Sequence, residues 1–168
     1  MARTAINELL ISNMKRGESG VWKDAWSEYG IRMGDGFADA LHAPLTPKDV
    51  VENESRNQHG RRVMFNTDKV RMAAREVTLT FRIHGENRAE MQVLRNRFQN
   101  EMLYRLSVAV KMPKFDNGND ATDSDIIYYL RYLGKSVSYG ESLGGTSSFI
   151  TAKFAEDNPM ERGVESGN

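Results

Sequence analysis

No cysteine occurs in the 168 residues. That removes disulfides, thiolate nucleophiles and Cys-ligated zinc together, and leaves the redox compartment open. Net charge is also lacking: 23 basic side chains balance 23 acidic ones. No global basic field therefore argues for nucleic acid or an anionic membrane. Mean hydropathy is −0.59, and no apolar run approaches the roughly 18 residues of a membrane-spanning helix. The N-terminus, Met1 to Glu8, has one positive charge and no apolar core, so no signal peptide is expected there. No repeat appears at a period of 20–50 residues. The expectation is a soluble globular protein made in the cytoplasm, with one domain's worth of chain and enough length to bury a useful core.

The recognised chemical motifs are missing too. No Gly-x-x-x-x-Gly-Lys-Ser/Thr and no Gly-x-Ser-x-Gly occurs. Gly34-x-Gly36 lacks the third glycine and a following amphipathic helix, and reads as a turn between strands. His42, His59 and His84 are far apart in sequence, so a metal site would need long-range convergence. His84 falls on the polar face of a strand and reads as a surface histidine. The stretch Asp116 to Asp125 carries four aspartates but fails the EF-hand pattern in its glycine position and its missing final Glu. It reads as a solvated hairpin loop, or as an acidic surface that meets a basic partner. Ser138 and Ser142 lie in a glycine-rich bend with no histidine close in sequence. The expectation is no enzyme, no cofactor and no metal.

What is present is pattern, mostly in residues 75–156. Val77, Leu79, Phe81 and Ile83 alternate with Thr78, Thr80, Arg82 and His84, which predicts a strand with one buried face. Gly85 ends it. Asn87 with Glu90 three residues on makes a helix start, and Met91, Leu94, Phe98 and Met102 set an apolar stripe for a helix over 87–103. Leu106, Val108, Val110 and Met112 predict a strand that Pro113 stops. Ile126 to Leu133 predicts another. Ser136 to Tyr139 reads as a short strand or a bend. Thr146 to Glu156 reads as the last strand, with Phe149 on the face opposite Ile150, Ala152 and Phe154, which suggests two-sided burial or a bulge. The tail from Met160 reads as frayed.

The first half is less regular. Leu9 to Ile11 suits a strand or a short helix, and Ile31 to Leu41 reads as a strand pair or a strand with a bend. Residues 42–74, with Pro44, Pro47 and several Asn and Gly, read as a long arm. Between 53 and 75, Arg56, Arg61, Arg62, Lys69, Arg71 and Arg75 face only Glu54 and Asp68. Only Phe65 there could serve as a stacking platform, which weakens a single-strand binding role. A basic arm and an acidic loop on one chain can instead meet on neighbouring copies, and such a head-to-tail contact closes into a ring when the rotation allows. Arginine outnumbers lysine by 15 to 8, which suits interface contacts. Trp22, Trp26 and Tyr29 are anchor-type residues for a core first and an interface second.

The fold class that follows is α+β: a mostly antiparallel β-sandwich or half-barrel with one flanking α-helix. The divisions expected are an N-terminal segment 1–21, one domain over 22–159 that includes the arm 42–74, and a flexible tail 160–168.

The run Arg75 to Ile83, the helix after it, Leu106-Ser107-Val108, the tyrosine-rich strand and the span from Phe149 to Phe154 resemble the N-terminal domain of distal tail proteins of long-tailed bacteriophages. The ending Phe154-Ala155-Glu156-Asp157-Asn158-Pro159 is similar to the family's final strand and turn. Asp24 to Ile31 and Asn57 to Val63 look like short signatures of a phage or prophage version. The resemblance spans about residues 22–162 and lies in the order and spacing of packing motifs. It implies a tail-tube-like sandwich assembled as a hexameric ring, a baseplate hub joining tail tube to tail tip in the virion. DNA would pass through its lumen without specific binding, neighbouring tail proteins would be its partners, and no membrane would be involved. Distal tail proteins often carry a C-terminal domain, and the expectation here is the first domain alone, so a tail tube, completion or terminator subunit is the alternative, and a small nucleic-acid-binding regulator a remoter one. The interface residues expected are Arg56, Arg61, Arg62, Lys69 and Arg71 on the arm, Asp116, Asp120, Asp123 and Asp125 on the loop, and Trp22 and Trp26.

Overall fold

The computed structural model describes residues 3–6, 8–18, 20–48, 51–54, 59–64, 72–113 and 126–164. Its strands are β1 (Leu10–Ser12), β2 (Lys23–Asp24), β3 (Ile31–Met33), β4 (Val51–Glu54), β5 (Arg61–Met64), β6 (Arg75–His84), β7 (Ser107–Lys111), β8 (Ile126–Tyr132), β9 (Ser138–Glu141), β10 (Ser147–Glu156) and β11 (Gly163–Val164). The helices are α1 (Ala25–Tyr29), α2 (Phe37–His42) and α3 (Arg88–Glu101), with short 3-10 turns at Leu103–Arg105 and Pro159–Glu161. The strands β2-β1-β7-β8-β10-β6-β3 follow one another in a curled, antiparallel half-barrel sheet, with β11 added to β8 and β9 to β10. β4 and β5 form a separate two-stranded sheet.

The spine is β6 against β10. All ten residues pair without a bulge, from Ser147 opposite His84 to Glu156 opposite Arg75. Period-two alternation in both strands then points Val77, Leu79, Phe81, Ile83, Ile150, Ala152 and Phe154 to one face, and all are buried. Helix α3 covers that face. Asn87, in extended conformation, accepts from the Glu90 N–H at 2.9 Å and caps it, and Met91, Leu94, Phe98 and Met102 are buried beneath. Phe81 is the centre of the packing. Its ring lies 5.2 Å from Phe37, 5.0 Å from Phe98 and 6.0 Å from Phe154, in tilted or edge-on contacts.

Several expectations change. Ile31 to Leu41 is a strand followed by helix α2, because Phe37 and Leu41 at helical spacing both reach the core. A short helix therefore does follow Gly34-x-Gly36. Asp24 caps α1 by accepting from the Ser27 N–H at 2.9 Å. Gly30 closes α1 at φ 63°, where a Cβ would fall 2.4 Å from the His84 carbonyl oxygen, so only glycine fits. Leu106 is a half-exposed turn residue at φ 69°, and the strand starts after it. β7 is buried on both faces: Met14 and Trp22 pack with Ala109 and Ile127 in a second, smaller cluster. Lys111 is 2% exposed, its ammonium 4.7 Å from the Trp22 ring centre. Phe149 is exposed on an unbulged strand, so neither two-sided burial nor a bulge explains it. The chain after Met160 is not frayed through Val164, since Gly163 and Val164 pair with Ile127 and Ile126.

One buried carboxylate ties the ends of these elements. Glu156, 1% exposed, takes Arg75 Nε at 2.7 Å and both Nε and Nη2 of Arg162, at 2.9 and 2.8 Å. The rest of the Arg75 guanidinium donates to the carbonyls of Ala40, Leu41 and Ala43, closing the C-terminal end of α2. Arg75 thus belongs to the core's polar edge, not to a solvated basic arm. Arg162 also lies over the Tyr128 ring at 4.8 Å. Breaking such a buried, fully bonded cluster strands the opposite charges. Glu156→Gln is expected to cost about 3–5 kcal/mol, and Arg162→Gln clearly less, because Arg75 still neutralises the carboxylate. Urea unfolding of the three proteins checks this ranking; equal losses would remove the cluster's central role.

Candidate functional site

The polar residues of β6 and β10 form the other face of the spine. The register sets them in rows: His84 beside Ser147, Arg82 beside Phe149, Thr80 beside Thr151. His84 Nδ1 and Ser147 Oγ are 2.8 Å apart, and the Thr80 and Thr151 hydroxyls 2.9 Å. β9 extends the rows on one side, with Gly140 beside Phe149, and β3 on the other, with Arg32 beside Arg82. One row therefore reads Gly140, Phe149, Arg82, Arg32 across four strands. The Phe149 ring covers Gly140 so closely that a Cβ there would lie 2.4 Å from ring carbons. The rows frame an open groove of about 580 Å³, lined among others by Asp35, Thr80, Arg82, His84, Glu141 and Phe149. The hairpin of β9 and β10 beside it carries further exposed apolar side chains, Val137, Tyr139 and Leu143.

Arg82 lines the groove, and Arg32 and Arg3 lie near it, each of the three paired with a carboxylate. Arg82 meets Asp35 at 3.2 Å, and Arg32 meets Glu8 at 3.1 Å. Arg3 lies over the Trp26 ring at 5.2 Å and donates to the His84 carbonyl at 2.9 Å and to Glu90 Oε1 at 2.7 Å. Burial, then the charges of Arg32, Arg82 and Arg3, hold the His84 imidazole below its ordinary value of 6.5. His84 is half-buried and bonded, so its reading as a plain surface histidine is corrected.

Ser147 and His84 are a juxtaposed hydroxyl and imidazole that sequence spacing does not reveal. General-base catalysis would place an imidazolium at His84, and a carboxylate normally stabilises it. Here the charges acting on the ring are guanidiniums, which oppose it. The Ser147 N–H already donates to Ser142 Oγ at 3.3 Å. Among the described residues no three His, Asp or Glu side chains converge as a metal site would need, and no helix is long and apolar enough to cross a membrane.

A second polar cluster is structural. The buried Tyr29 hydroxyl bonds Glu101, and Lys23 Nζ lies 3.4 Å from both. Burial and that hydrogen bond push the Tyr29 phenol up, and the same bond holds the Glu101 carboxyl down. The cluster fastens β2 and α1 to the end of α3.

Of the residues expected at an interface, Trp22 and Trp26 are half-buried in contacts within the chain, with Lys111 and with Arg3 and His84 respectively. Arg61 and Arg62 lie on β5, paired across to Glu54 and Asn53. Arg56, Lys69, Arg71, Asp116, Asp120, Asp123 and Asp125 lie outside the described residues. Arg32, Arg82 and Arg3 escaped sequence reasoning. Alternation puts Arg82 and His84 on one face, but the partner row depends on register with β3.

No protein-family model matches the chain, and no curated protein matches it. Solved structures similar to it include two of the phage P2 baseplate in its activated conformation, one with calcium and one with strontium. A chain of the calcium form is 14% identical with a TM-score of 0.49, covering 86% of this chain and 42% of its own length. A chain of the strontium form is 13% identical with a TM-score of 0.49, covering 89% and 43%. This chain thus spans less than half the length of either. The half-barrel class follows from the strand order above.

The depressed imidazole has a sign that can be measured. Below pH 6.5 the unfolded chain takes up a proton at His84 that the folded chain refuses, so the unfolded state binds more protons and stability falls as pH falls. The loss runs from about pH 6.5 down to the lowered folded value and is absent above that window. His84→Gln is expected to flatten this part of the stability profile between pH 7.5 and 5, read by urea unfolding at each pH. An unchanged slope in the variant would assign the loss to other groups.

Proposed function

We propose that this chain is a structural subunit of a phage tail, forming a ring at the distal tail or baseplate hub that joins tube to tip around a DNA-conducting lumen. The observation that carries the reading is the arm. β4 and β5 pair only with each other, in a sheet separate from the half-barrel. The base of the arm is held by the Ala73 N–H bonded to the Thr46 carbonyl at 2.8 Å and by the bridge between Pro47 and Met72. A two-stranded hairpin is marginal by itself in water, and a neighbouring subunit supplies the surface it lacks.

The basic residues Arg56, Arg61, Arg62, Lys69 and Arg71 and the acidic run Asp116, Asp120, Asp123 and Asp125 are the charged contacts between copies in this reading. Trp22 and Trp26, half-buried in the subunit, complete the set of interface residues in this reading. Partners are further copies, as a hexamer, and adjoining tail proteins. The chemistry is passive, which agrees with the guanidinium setting of the Ser147–His84 pair.

Purified protein is expected to form rings in negative-stain images. Deleting residues 48–68, between the ends of the anchored base, is expected to leave a folded monomer that no longer assembles. Light scattering that finds an intact ring in the deletion variant would remove the arm's role. A labelled copy found in many stacked rings along the virion would move the protein from hub to tube.

A further inference from the structure

Phe149 is the one large apolar side chain on the outer face of the β6–β10 ladder, and it is 43% exposed. Its position over Gly140 accounts for one side of the ring, since an aromatic laid on a cross-strand glycine restores contacts that the glycine lacks. The rest of the ring lines the groove, where it is the only apolar side chain among the described residues. Around it the register sets polar groups. Arg82 stands in its own row, Thr80 with Thr151 in the row on one side, and His84 with Ser147 in the row on the other. Successive rows on one face lie about 7 Å apart.

We infer that the groove is a binding site for a neutral glycan, with the Phe149 ring as the platform under a sugar and the Arg82–Asp35 pair and the hydroxyl rows as its hydrogen-bonding partners. One copy carries the whole groove, so the site is independent of the assembly proposed above.

The charges decide the class of ligand. Arg82 meets Asp35, and Glu141 is held from α3 by Arg88 at 3.2 Å and Arg95 at 3.8 Å. With the His84 imidazole held below its ordinary value, the groove has no surplus charge for an anion or a cation to meet. A neutral polyol needs none. Arg82 uses one nitrogen on Asp35, at 3.2 Å, and Asp35 is 98% exposed, so N–H donors and a carboxylate acceptor stand side by side. That arrangement suits adjacent sugar hydroxyls, each of which both donates and accepts. The Thr80 and Thr151 hydroxyls spend one proton on each other and keep one to offer. A sugar ring presents weakly positive C–H groups on one face, which complement the negative face of an aromatic ring. The size fits as well: about 580 Å³, within the range of small-ligand sites, in a groove open enough to admit a chain. A polypeptide docking on Phe149 would call for more apolar surface, and the other side chains lining the groove are polar.

The test applies the full chain to immobilised short chains of glucose, galactose and mannose, beside chains that contain uronic acids, with binding titrated by surface plasmon resonance. Neutral chains are expected to bind, with little difference between low and physiological salt. Phe149→Leu keeps an apolar cover on Gly140 and removes the flat face, and is expected to weaken that binding about tenfold. Phe149→Tyr keeps the face and is expected to bind like the wild type. Thr151→Val, which deletes one hydroxyl of the neighbouring row, is expected to weaken binding severalfold and gives a second readout if the leucine variant fails to fold. Thermal unfolding verifies each variant. No binding of any neutral chain, binding confined to the uronic-acid chains, or equal binding by Phe149→Leu each overturns the site. Sedimentation of the same variants separates this from assembly: rings that form normally in a chain that binds no sugar leave the structural role standing.

Discussion

Glu156 sits at the last position of β10 with two guanidiniums on it, and three separate pieces of chain end there. Arg75 opens β6 and caps α2; Arg162 follows the last 3-10 turn and covers Tyr128. A carboxylate with 1% exposure is tolerable only if its partners stay in place. That condition is met in the β6–β10 register, where Arg75 and Glu156 are the closing pair of the ten-residue ladder. It also brings α2 down so that Phe37 meets Phe81.

Once the ladder is in register, the two faces are decided together. The apolar set goes under α3, and the polar set comes out as rows of Ser, Thr, Arg and Phe149. The outer face has little that resembles a reaction centre. Its hydroxyl and imidazole lie among arginines, which disfavour the charge that catalysis would create. The repulsion between the adjacent Arg82 and Arg32 is eased by Asp35 and Glu8, their carboxylate partners. The hairpin β4–β5 stands apart from both faces, as an element with a fixed base and a sheet of its own.

Much of the patterned half was legible. The alternation from Val77 to Ile83 and the stripe Met91, Leu94, Phe98 each state their own period, and Asn87 with Glu90 marks the helix start. The antiparallel half-barrel with its flanking helix follows from those elements. The first half was less so. α1 and α2 have five and six residues, too short for periodicity to separate them from turns. They form because Tyr29, Phe37 and Leu41 have a core to enter. β11 was missed for a related reason: Gly163 and Val164 have no strand pattern and are held by β8 and by Arg162.

By itself the sequence determined the things that depend on near neighbours: which residues share a face of a strand or helix, where a cap starts a helix, and that no thiol chemistry is available. Tertiary structure decided which faces meet. Arg32 stands beside Arg82, and Arg75 and Arg162 close on Glu156, only because strands distant along the chain pair in one particular register. A shift of one residue would exchange every inward and outward side chain. That choice is made by the whole core at once, and no local pattern carries it.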